Sequence, residues 1–111
     1  MAFNKKELFS KDLQDCSIMF KALAHPARLA ILKFLAETKT CFTGDLADEI
    51  PLGRTTVNQH LQELRNAGLI QGTTEGVKTC YCLDGIKVQE LKKLSEKFLS
   101  DIDTDMINEC K

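Results

Sequence analysis

Two short helical stripes separated by a tight turn occupy the middle of the chain, from Thr43 to Ile70. Leu46, Ala47 and Ile50 fall at helical spacing behind Thr43, whose hydroxyl can cap a helix start, and Asp45, which suits a first turn. Pro51-Leu52-Gly53 stops that helix, because proline disfavours helical geometry in the residue before it and donates no backbone bond. A second helix is predicted from about Arg54, with Val57, Leu61 and Leu64 as its buried stripe. Arg54, Thr55, Asn58, Gln59, Gln62 and Asn66 point elsewhere, and Gly68 can end the helix in the left-handed conformation. Past Gly68 the period becomes strand-like. Leu69–Gly72 and Val77–Leu83 flank Thr73–Gly76, which predicts a β-hairpin with Val77, Thr79, Tyr81 and Leu83 on one face and Lys78, Cys80 and Cys82 on the other.

The flanks are helical by the same test. A first helix is predicted from Asn4 to about Ala22, with Phe9, Leu13, Cys16 and Phe20 as its stripe. Pro26 suits the first turn of a second, whose buried face is Ala27, Ala30, Ile31, Phe34 and Leu35. A final helix is predicted from about Ile86 to Asn108, with Leu91, Leu94, Phe98, Ile102 and Met106 on one stripe. The expected order is α-α-α-α-β-β-α, mainly α with a small hairpin, in one undivided domain over residues 1–111. The last helix has no evident partner in so small a monomer. It is expected to pack with the first across a twofold interface.

A helix whose outer face is Arg, Thr, Asn and Gln carries donors and acceptors that read base edges in a major groove. A short turn before it places it where it can enter that groove. An ordinary helical hairpin with a solvated polar face is the competing reading. The hairpin that follows is then a wing, with Lys78 in reach of a phosphate.

These segments also resemble a known family. Phe20–Leu32, FKALAHPARLAIL, resembles the ArsR/SmtB signature "ALA-x-P-x-R-x-x-IL", and Thr56–Leu61 followed by Leu64–Ile70 resembles its "TVSxHLxxLRxAGLV". Gly76 and Tyr81-Cys82-Leu83 match its wing. The resemblance runs from about Phe20 to Leu83 and implies a winged helix-turn-helix repressor: helix-turn-helix at 43–67, wing at 69–83, and dimerisation helices at 1–22 and 86–109. It implies a homodimer on an inverted-repeat operator in double-stranded DNA, released by an inducer that is often a metal ion. The expected DNA contacts are Arg54, Thr55, Thr56, Asn58, Gln59, His60 and Lys78. Arg28 is implied to be structural or a backbone clamp, and His60 a phosphate contact or a helix-packing residue. His25 stands in the loop before the proline, where a histidine with no ligand and no phosphate is the ordinary reading. Gly53 replaces a serine cap, Val77 the wing arginine and Asn58 a common serine.

Composition qualifies this picture. The net charge is −1, distributed as +3 over residues 1–40, −3 over 41–50, +1 over 51–82 and −2 over 83–111. Few phosphate contacts imply modest affinity for random DNA and a shallow salt slope. The acidic balance favours the alternative function, a winged-helix protein-interaction module without DNA binding. No phosphate-cradling glycine loop is present, and the two histidines His25 and His60 are a poor basis for an enzyme. No apolar run approaches membrane-spanning length, and the amino terminus lacks a signal peptide's apolar core. Five cysteines without a disulfide-scaffold spacing point to a reducing cytoplasm.

The family's metal sites are broken. Aligning on Asp45-Leu46 puts Phe42 and Gly44 at the cysteines of its "CVCDL" box, with Cys41 one residue early. Its other site, built from Asp/His pairs on the last helix, meets Lys87, Phe98 and Asp101. A possible thiol-bound metal ion or redox site therefore centres on Cys80 and Cys82, which share a strand face, with Cys41 as a further donor. Neighbours two apart on a strand rarely form an unstrained disulfide with each other. Cys16 and Cys110 can meet if the first and last helices pack together. Small apolar fillers are the competing reading of these cysteines.

Overall fold

The structure, a computed structural model, describes residues 8–38, 46–75 and 78–103, without the side chains of residues 74, 75 and 78. Four helices and one antiparallel hairpin follow in the order α1 (Lys11–Leu23), α2 (Pro26–Thr38), a 3-10 turn (Leu46–Asp48), α3 (Arg54–Asn66), β1 (Ile70–Glu75), β2 (Lys78–Leu83) and α4 (Gly85–Ile102).

α1 starts at Lys11, later than the expected Asn4, because the Ser10 hydroxyl accepts the Leu13 N–H at 3.3 Å and closes the first turn. Its inner face is Cys16, Met19 and Ala22, so Cys16 alone of the expected stripe is buried, and Phe9, Leu13 and Phe20 are exposed. The smaller side chains face in, and the Cys16 Sγ–H donates to the Leu94 carbonyl of α4 at 3.9 Å. Phe20 packs edge-on against Phe98, with ring centroids 5.9 Å apart. Cys110, the other half of the expected contact with Cys16, lies outside the described residues.

α2 buries Ala27, Ile31 and Leu35, with Phe34 half-buried, while Ala30 is exposed contrary to expectation. Over 43–50, where a helix was expected, the described part is the single turn at Leu46–Asp48; Thr43 and Asp45 lie outside it. Leu46 and Ile50 still enter the core, and the Ile50 N–H reaches the Leu46 carbonyl at 3.0 Å.

α3 keeps its predicted bounds. Gly53, in extended geometry, supplies no side-chain cap, and its carbonyl accepts the Val57 N–H at 3.0 Å. At the other end Gly68 adopts φ +79°, Leu69 N–H bonds the Leu64 carbonyl at 3.1 Å, and Gly68 N–H bonds that of Arg65 at 2.9 Å. This is a Schellman closure, which requires the left-handed residue that glycine supplies. Leu69 then drops into the core directly behind it.

The hairpin pairs Ile70 with Leu83 and Glu75 with Lys78, so β1 runs three residues beyond the expected Gly72. β-branched Thr73 and Thr74 suit a paired strand opposite Cys80 and Thr79. α4 begins where the Asp84 carboxylate accepts the Lys87 N–H at 3.0 Å, and ends at Ile102, short of the expected Asn108. Val88, Leu91 and Leu94 lean on a core made of Met19, Ile31, Leu35, Leu46, Ile50, Val57, Leu61, Leu64, Leu69 and Ile70. Among the described residues no helix is long and apolar enough to cross a membrane.

Leu64 is fully buried at the centre of this core. Leu64→Ala is expected to cost about 2–5 kcal/mol, read as a lowered midpoint in urea unfolding with an unchanged slope.

Candidate nucleic-acid interface

α3 is amphipathic in a sense that matters chemically. Val57, His60, Leu61 and Leu64 face inward, so Arg54, Thr55, Thr56, Asn58, Gln59, Gln62 and Asn66 are all exposed on the rest of its circumference. Gln62 and Asn66 bond each other through their amides at 2.9 Å, which stiffens the carboxyl-terminal half of that surface. Asn58 and Gln59 stand further up the same helix and present both amide donors and a carbonyl acceptor, the pattern that pairs with adenine.

His60 departs from the expected contact set. It is 8% exposed, and its Nδ1 accepts the Arg28 Nε–H at 3.2 Å. The Arg28 Nη1 group also donates to the carbonyls of Lys21 and Ala22, at 3.2 and 3.4 Å, in the last turn of α1. Arg28 thus ties α1, α2 and α3 together with one side chain, the clamp role expected of it, and His60 packs the helix rather than facing a phosphate. His25 lies on the other side of the His60 ring, with centroids 4.2 Å apart and planes tilted by 41°. His25 Nδ1 accepts the Ala27 N–H at 3.0 Å and so caps α2 through its ring. Burial holds the His60 imidazole below its ordinary value of 6.5; the neighbouring His25 and Arg28 push the same way, and Glu63 opposes them.

The wing is fastened at its base. Asp84 Oδ2 accepts from the Gln71 amide at 2.9 Å while Oδ1 caps α4, and these bonds, the Lys87 N–H first, hold its carboxyl below the usual value. Arg65, at the end of α3, reaches across to β1: a Cβ added to Gly72 would lie 3.5 Å from its guanidinium carbon and 3.1 Å from the Tyr81 ring. The tight neighbour is the Tyr81 ring of the paired strand, so the absence of a side chain at Gly72 makes room for that ring, while Arg65 lies at ordinary contact distance. Lys78 opens β2 opposite Glu75, and its side chain lies outside the described part. Cys80 and Cys82 are half-buried on one face of β2, opposite Thr73 and Gln71. Cys41 lies outside the described residues, among which no three His, Cys, Asp or Glu side chains gather as a metal site.

Two contacts escaped the sequence reading. Arg65 was absorbed into a motif, although its place one turn before Gly68 puts it beside the wing. The Arg28–His60 bond spans 32 positions, and only the helical phase of His60 with Val57 and Leu64 signalled its inward turn.

Comparison with known proteins agrees with this arrangement. Residues 23–73 match a family model described as a helix-turn-helix domain. An uncharacterised HTH-type transcriptional regulator of Methanocaldococcus jannaschii is 34% identical over 79 residues, spanning 71% of this chain and 89% of the relative. The HTH-type transcriptional regulator CmtR of Mycobacterium bovis is 38% identical over 86 residues, spanning 77% and 71%. Among solved structures, a possible transcriptional regulator for arsenical resistance superposes with a TM-score of 0.65 at 31% identity, over 75% of this chain and 83% of that one.

The close approach at Gly72 is testable. Gly72→Val is expected to force the Tyr81 ring or the Arg65 guanidinium aside and to cost about 1–3 kcal/mol, measured by urea unfolding.

Proposed function

Because the chain belongs to the ArsR/SmtB family of winged helix-turn-helix transcriptional regulators, and so binds DNA rather than acting as an enzyme, we propose that it is a homodimeric repressor of an inverted-repeat operator. The observation that carries this reading is the exposure of Arg54, Thr55, Thr56, Asn58 and Gln59 on a helix whose opposite face is buried in the core. In this reading Asn58 and Gln59 read base edges, Arg54, Thr55 and Thr56 position the helix on phosphates, and Lys78 extends the contact from the wing. A twofold dimer would present the two α3 helices to successive major grooves about 34 Å apart.

Support for the dimer comes from apolar surface that one chain leaves uncovered. A groove on α1 is lined by Phe9, Leu13 and Ile18 with Gln14, Ser17 and Lys21, and those three apolar residues are 59%, 47% and 54% exposed. On α4, Ile86, Leu99 and Ile102 are exposed as well. A second copy brings the same two faces, and so covers like with like. The cytoplasm suits a DNA-binding protein with five cysteines and no need of disulfides. If a thiol-binding metal ion or an oxidant is the inducer, the half-buried Cys80 and Cys82 on the wing are where it would act, with Cys41 the candidate third donor.

Asn58→Ala or Gln59→Ala should cost about 1–3 kcal/mol on a selected duplex and relax base preference, whereas Lys78→Ala should weaken all duplexes alike and reduce the salt slope. Fluorescence anisotropy against a panel of single-base variants checks this, and identical profiles for the two kinds of mutant would refute the division of roles. Leu13→Glu with Ile18→Glu should convert dimer to monomer in analytical ultracentrifugation while leaving the helical circular dichroism in place. Transcription in vitro from a promoter overlapping the selected duplex should fall as protein is added.

A further inference from the structure

The contact between Arg28 and His60 joins α3 to α1 and α2 beside the apolar packing of the helix. Arg28 is anchored at both ends: to the Lys21 and Ala22 carbonyls of α1 through Nη1, and to His60 of α3 through Nε. An imidazole can accept at Nδ1 only while that nitrogen carries no proton. His60 is therefore neutral here, with its proton on Nε2. Protonation would set an N–H donor against the Arg28 N–H donor and a second cation against the guanidinium, at a ring that is itself only 8% exposed.

We propose that the Arg28–His60 hydrogen bond is a proton-operated latch on the reading helix, closed when His60 is neutral and released when it is protonated, so that acidification weakens DNA binding. This rests on the reading of α3 as the DNA-contacting helix. Asn58 and Gln59 are the two residues immediately before His60, so any rotation of α3 that separates His60 from Arg28 moves them directly.

The surrounding charges agree on the direction. Among the described residues, His25, whose ring lies tilted against it, and Arg28 both disfavour a positive charge on His60, while Glu63, on its own helix, favours one. α1 offers Arg28 backbone carbonyls, while Lys21 itself is exposed, and the 3-10 turn segment packed on α3 brings Asp48 and Glu49, both exposed. The described side chains of β1, from Ile70 to Thr73, include no titratable group. With its value lowered in the folded protein, His60 keeps the latch fully closed above its ordinary 6.5, and the latch is lost as pH falls through the lowered value.

Two measurements test this. Nitrogen-15 spectra of the wild-type protein alone should show His60 as the Nε2–H tautomer at about pH 7.5, and the amides of Asn58 and Gln59 should shift with the His60 titration. A protonated Nδ1 at that pH, or amides that ignore the titration, would overturn the latch whether or not any DNA is bound. Next, a duplex selected from a random library by the wild-type protein is titrated by anisotropy from about pH 7.5 to about pH 5 at fixed ionic strength. Wild-type affinity should fall by up to about tenfold per pH unit for each His60 that must stay neutral, and so by up to about a hundredfold for the proposed dimer, once below the His60 value. His60→Asn should retain neutral-pH binding and lose that extra dependence, because the Asn Oδ1 occupies the place of Nδ1 and cannot titrate. Equal pH profiles for the two proteins, or tighter wild-type binding in acid, would overturn the proposal. Selection of no duplex would instead count against the DNA-binding reading, with the spectra still deciding the latch.

Discussion

A helix of 13 residues does not hold its shape alone in water, so α3 depends on what its inner face buries. Val57, Leu61 and Leu64 sit against Ile31, Leu35, Leu46, Ile50, Leu69 and Ile70, and removing that contact would leave a polar peptide with little reason to be helical. This grip is one-sided by necessity. A residue used for holding is lost to the outer surface, which among the described residues is exposed and polar. The apolar stripe sets the orientation of the helix, and His60, the one buried polar side chain on it, adds direction through its bond to Arg28.

What was legible in the sequence follows from how local each signal is. Gly53 and Gly68 bound α3 because a cap and a left-handed turn are properties of single residues, and the hairpin followed from a period of two. α1 was misjudged at its start because Phe9 extended an apolar spacing backward past Ser10, whose hydroxyl is the physical start of the helix. The helix is apolar on more than one side, so spacing could not say which side faces in; the close approach to Leu94 selects the smaller Cys16, Met19 and Ala22. α4 stops at Ile102 before a run that contains Asp103, Thr104 and Asp105, poor helix formers whose acids oppose the negative end of a helix dipole. His60 is the instructive case. Its type suggested a contact with DNA, whereas its phase with Val57 and Leu64 already pointed inward, and its partner, being far away in the chain, was not readable from any local pattern.

The charge balance gives the interface a particular character. With a net charge of −1 and only Arg54, Arg65 and Lys78 as cations between residues 51 and 82, counterion release contributes little to affinity. One of those cations, Arg65, has its guanidinium beside Gly72 of the wing. In the proposed reading, discrimination then leans on hydrogen bonds from Asn58 and Gln59 to base edges. A surface of this kind trades general stickiness for discrimination.

α1 joins the two halves of the molecule's task. Its outer side carries the apolar groove of Phe9, Leu13 and Ile18, and its last turn supplies the carbonyls that hold Arg28. In the proposed dimer, the helix that faces a second copy is also the helix that anchors Arg28. A displacement of α1 along its axis cannot leave Arg28 in place without breaking one of those bonds or the one to His60. In the proposed dimer, repacking of the α1 and α4 face and protonation of His60 would converge on one guanidinium, which is bonded to both α1 and α3.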